Sequence, residues 1–117
     1  MIREASVADR AALEAFLLAH IDVAMFPMAN LRDHGIGAGG FGSEHPNAAR
    51  FWLLGPEVGG VVAVTRRGMI MAVLPSGGDL RGLVAAMGGV LVSGAGGEAV
   101  ATRRVLTALG LDDVPMR

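Results

Sequence analysis

The spacing of apolar and polar positions divides the chain into segments. Residues 2–5 form a short strand. Ser6 then opens a helix, with Asp9 three residues later completing a capping box. Leu13, Phe16, Leu17 and His20 recur at helical spacing and predict one face. Residues 21–30 read two ways. Pro27 breaks a helix running through them, yet it also suits the start of a short second helix over 28–33. Glycines at 35, 37, 39, 40 and 42 predict a flexible loop.

Three strands follow, over 50–54, 60–65 and 69–74. The connections through Gly55, Pro56 and Glu57, and through Arg66, Arg67 and Gly68, are tight and predict an antiparallel meander. Residues 61–64 and 69–74 are apolar without alternation. The sheet is therefore expected to be covered on both faces, by the first helix on one side and a later helix on the other. Phe51 and Trp52 point to opposite faces. Asp79 reads as the N-cap of a short helix ending near Met87, residues 90–92 as a buried strand, and 94–97 as a loop. A helix over 98–109 carries Val100, Val105, Ala108 and Leu109 on its apolar face, closed by Gly110 and Leu111. Residues 112–117 read as the start of a linker, leaving a single domain.

Composition narrows the function classes. With 117 residues, 52% hydrophobic and 18% charged, the chain is one folded domain and not a disordered segment. A net charge of -1 excludes a strongly basic nucleic-acid sheath and a polybasic membrane patch, so neither partner is expected. Cysteine is absent, which removes disulfides, thiolate metal sites and a cysteine nucleophile. The ten basic residues are all arginine, a compositional bias of the source genome. The N-terminal charges do not suit a signal peptide, and no apolar run reaches the roughly 18–20 residues of a spanning helix. A cytoplasmic location is expected. The mean hydropathy of +0.51 points to apolar surface covered by a partner.

Three stretches, IREASVADRAALEAFL, MFPMANLRDHGI and GGVVAVTRRGMIMAVLP, together with the order of elements, resemble the N-terminal part of the GNAT superfamily of acyl-CoA-dependent N-acyltransferases. The resemblance implies an α/β (α+β) domain with a mixed, mostly antiparallel sheet and helices on both faces, lacking the last strands of the complete fold. It also implies acetyl-CoA as cofactor, held in the family by a Gln/Arg-x-x-Gly-x-Gly/Ala loop after the fourth strand. Here Ser76, Gly77 and Gly78 occupy that place, without a leading Arg or Gln. Asp79 at the predicted helix start would repel an anion. Many members use a tyrosine as acid, and this chain has none. No catalytic residue is assigned. In one bacterial subgroup two such units share a chain, one of them degenerate. The sequence resembles the degenerate unit, so a second GNAT-like unit or a homodimer partner is expected. The leading reading is a non-catalytic scaffold or acceptor-side unit of a bacterial acetyltransferase. The alternatives are an intact small acetyltransferase using Ser76 to Gly78, and a non-enzymatic module that dimerises.

Other constellations read as structural. Glu57 and Glu44, candidates for a general base, suit solvated turns. His34, Glu44 and His45 lack metal-ligand spacing, so no metal is expected. His20 suits a helix end. Met25, Phe26 and Met28 suit core packing or the wall of an acceptor pocket. Gly94 to Gly97 fails the dinucleotide spacing, and Glu98 after it disfavours phosphate. Arg66 with Arg67, and Arg103 with Arg104, read as solvated pairs, one of the latter able to meet an acidic partner.

Overall fold

A computed structural model describes residues 2–37, 41–55, 57–75 and 79–111. Five strands form one mixed sheet in the order β1 (Ile2–Glu4), β2 (Ala49–Leu54), β3 (Gly60–Thr65), β4 (Met69–Val73) and β5 (Gly94–Ala95). The first four are antiparallel neighbours, and β5 runs parallel to β4. The described helices are α1 (Arg10–Ala19), α2 (Ile21–His34), α3 (Leu83–Met87) and α4 (Ala99–Ala108).

Register explains the missing alternation. Phe51, Ala63 and Met71 align across the meander, as do Leu53, Val61 and Val73, and these pack under α1 and α2. Trp52, Val62 and Ala72 align on the opposite face and pack under α3 and α4. Both sides are dry, so both sets are apolar. Trp52 is fully buried, and its Nε1–H donates to the Ala86 carbonyl at 3.1 Å, so its polar edge is satisfied. Leu13 and Leu17 are buried and Phe16 half-buried, the face expected of α1. A 3-10 turn over Val7–Asp9 precedes it. The Asp9 carboxylate accepts from the Ser6 N–H at 2.8 Å and from both terminal nitrogens of Arg3. The Arg3 guanidinium first, and the Ser6 N–H next, hold this carboxyl far below the usual range.

Four local expectations are corrected. The helix does not stop at Pro27: α2 runs through it. The ring gives up only one helical hydrogen bond, and Ala24, Pro27, Met28 and Leu31 form a buried stripe that holds the helix on the sheet. The strand expected at 90–92 lies later, at Gly94–Ala95, and Leu91 is exposed. The chain is drawn against β4 only where the Ser93 N–H donates to the Gly68 carbonyl at 2.9 Å. Asp79 does not cap α3, whose preceding residue is Gly82 at φ 83°. Finally, α4 buries Ala101, Thr102, Val105 and Leu106 and leaves Val100 and Ala108 exposed. Glu98 caps it through Val100 N–H and Ala101 N–H, and Leu111 N–H closes its end onto the Leu106 carbonyl.

Candidate functional site

Two depressions differ in make-up, one lined by β4 and the turn before it, the other by residues 79–84, which follow β4 in sequence. At the start of β4, the Thr65–Gly68 turn is fixed by several bonds. Gly68 N–H donates to the Thr65 carbonyl at 2.9 Å, and Met69 N–H to Thr65 Oγ1 at 3.1 Å. The Ser93 hydroxyl donates to the Arg67 carbonyl, which ties the turn to the approach to β5. Gly68, at φ 86°, is in backbone contact there: a Cβ would lie 2.9 Å from Leu91 O and Ser93 N. Beyond the turn, Gly96 N–H donates to the Ile70 carbonyl at 3.0 Å, and the Gly96 carbonyl accepts from buried Thr102 Oγ1 at 3.1 Å. Gly97, at φ 84°, then swings the chain into α4.

This framework walls a groove of about 600 Å³. Phe26 and Asn30 come from α2, Asn47 precedes β2, Thr65 and Arg67 come from the turn, and Met69 and Met71 line β4. The opposite wall is backbone from Ser93 to Gly97. Among the described residues that line it there is no carboxylate and no imidazole. Asn30, Asn47 and Arg67 make no side-chain hydrogen bond or ion pair among the described residues, so their polar atoms are available to a ligand.

At the far end of β4, Ser76, Gly77 and Gly78 lie outside the described residues. The chain beyond them borders a shallower depression of about 440 Å³ with α3 and with Arg104 and Ala108 of α4. Here Asp79 and Arg81 pair with each other, beside Arg104 of α4. Asp79 accepts from the Arg81 N–H at 2.9 Å and from its guanidinium at 2.7 Å. The Arg81 guanidinium, and then its backbone N–H, bring the Asp79 carboxyl down to about 2. The expected repulsion of an anion by Asp79 is therefore offset by its neighbour.

The remaining candidates lie elsewhere. Glu44 is solvent-exposed and 3.5 Å from Arg66, and Glu57 is exposed in its turn. The His34 and His45 rings stack at 4.4 Å, with Ser43 Oγ 3.4 Å from His34 Nδ1. Among the described residues no group of three acidic or histidine side chains is placed to hold a metal. His20 Nδ1–H donates to the Phe16 carbonyl at the end of α1. Met28 is buried, whereas Met25 and Phe26 are exposed. The arginine pair of the turn divides: Arg66 donates to the Ser43 carbonyl and lies over Phe41, while Arg67 lines the groove and has no side-chain partner among the described residues. In sequence Arg67 reads only as one of a solvated pair and Gly94 to Gly97 only as a loop, because residues 26, 67 and 97 meet only through the fold. Among the described residues no helix is long and apolar enough to cross a membrane. The chain matches no family model, no curated protein and no solved structure.

Proposed function

We propose that this chain is a GNAT-like unit of a bacterial acetyltransferase that serves as a non-catalytic, acceptor-side scaffold beside a partner, either a second GNAT-like unit that holds the acyl donor or a second copy of this chain that completes the fold. The order of elements carries the reading. A strand and two helices lead into a three-strand meander, then a helix, a strand and a helix, the order on which the resemblance rests. The scaffold role is supported at both ends of β4. In the described residues after its far end, Arg81 is already paired with the Asp79 carboxylate, which leaves it less able to take the diphosphate of acetyl-CoA. The groove at its near end offers polar contacts and apolar walls, but among its described lining no group able to take a proton near neutral pH. Such a groove binds and orients; it does not deprotonate an amine.

Calorimetry with acetyl-CoA tests the reading. The chain is expected to give no saturable heat up to about 1 mM ligand, whereas a Kd near ~1 µM would replace the scaffold with an intact small acetyltransferase. One observation favours the dimerising module as a second reading. Ile21, Val23, Met25 and Phe26 are exposed apolar side chains on α2. Sedimentation at about 5 µM tests it: a monomer removes the module, and a dimer fits both the module and the homodimeric form of the scaffold.

A further inference from the structure

We propose that the groove beside β4 and β5 is a binding site for a small carboxylate with an apolar body, with Arg67 taking the carboxylate. The inference goes beyond the acceptor-side reading and does not rest on it: the groove is assigned to an anionic group and not to an acceptor amine, and the binding is measured without any acyl donor. Charge selects the ligand class. Arg3, Arg10, Arg50, Arg66 and Arg81 each have a carboxylate partner within the fold. Arg67 has none among the described residues, and no carboxylate stands among those that line its groove. Asp22 and Glu98 border the adjoining depression, which shares Phe26 and Gly97 with the groove, but the charged side chain that lines the groove itself is a guanidinium, which a carboxylate fits with two parallel hydrogen bonds. The chain's net charge of -1 means that anion preference at this point is local and not a property of the whole surface.

Shape and chemistry select the rest of the molecule. About 600 Å³ lies within the usual range for a small-molecule site. Phe26, Met69 and Met71 give apolar walls, and methionine adapts to an aromatic or aliphatic body. Asn30 and Asn47 can each donate and accept, so they suit a polar substituent beside the carboxylate. The glycine wall from Gly94 to Gly97 brings backbone close to the ligand with no side chain between. The main chain at Arg67 is tied down, since its carbonyl accepts from the Ser93 hydroxyl.

The test is a set of NMR titrations of the intact chain with 4-phenylbutanoate, 4-phenylbutylamine and 4-phenylbutanol, which share one apolar body. The carboxylate is expected to bind with about millimolar affinity, with backbone shifts at Thr65–Met69 and Ser93–Gly97, and the amine and alcohol at least about tenfold more weakly. Arg67→Met removes that preference, Arg67→Lys restores part of it, and Arg103→Met, on the exposed side of α4, leaves it intact. Equal binding of the three probes, preference for the amine, absence of binding, or a carboxylate preference that survives Arg67→Met would each overturn the proposal. None of these outcomes touches the acetyl-CoA titration, which alone decides the scaffold reading.

Discussion

The near and far ends of β4 treat their charges in opposite ways. At the near end the backbone is tied down by Gly68, Ser93 and Thr102, while Arg67, Asn30 and Asn47 are left without partners among the described residues. At the far end Arg81 closes on Asp79, two residues away. A rigid frame with unspent polar groups is arranged for a ligand. A local ion pair on an exposed segment satisfies itself. The difference separates a groove that selects by charge from a loop exit that offers an anion little.

The comparison breaks first at Gly68. Gly68→Val forces a β-branched residue into the left-handed region and a Cβ against the backbone of Leu91 and Ser93. It is expected to cost about 2–4 kcal/mol in urea unfolding and to abolish carboxylate binding. Thr102→Val keeps the shape but leaves the Gly96 carbonyl unpaired. A loss of about 1–2 kcal/mol is expected, with weaker binding at the groove. Arg67→Met is expected to change stability by less than about 0.5 kcal/mol, because the residue is exposed, while removing the charge selectivity.

The smallest effect belongs to the far end. Arg81→Ala should move the Asp79 titration, followed by carbon NMR, from about 2 back towards the ordinary carboxylate value near ~3.9. The sign follows from the depressed pKa. Any stability from the pair is present above the unfolded carboxylate value and is lost as pH falls towards 2. The pair is exposed and close in sequence, so no measurable change in thermal unfolding at pH 7 is expected.

The sequence carried most of the fold and little of the groove. The meander, its two covered faces and the helices α1 and α4 follow from apolar runs, tight turns and end signals such as Ser6 with Asp9, whereas the capping of α4 by Glu98 emerged only from the structure. Two features misled. Pro27 stops a helix by local chemistry, but the stripe from Ala24 to Leu31 outweighs one missing hydrogen bond. Val90 to Val92 resembles a buried strand, but pairing with β4 is set by contacts at Gly68, and so it begins later. The groove has no local signature. Phe26, Arg67 and Gly97 come from a helix, a hairpin turn and a helix approach, and neither arginine of the turn announces which one is spent on the loop and which is free. Acetyl-CoA binding through Ser76, Gly77 and Gly78 is decided by titration, since those residues lie outside the described structure.

One residue-resolved experiment addresses both ends of β4 at once: amide NMR of a single sample titrated first with 4-phenylbutanoate and then with CoA. The account predicts shifts over Thr65–Met69 and Ser93–Gly97 with the first ligand and none over Leu80–Val84 with the second. Saturable movement of Leu80–Val84 on adding CoA, with the groove silent to the carboxylate, would contradict it.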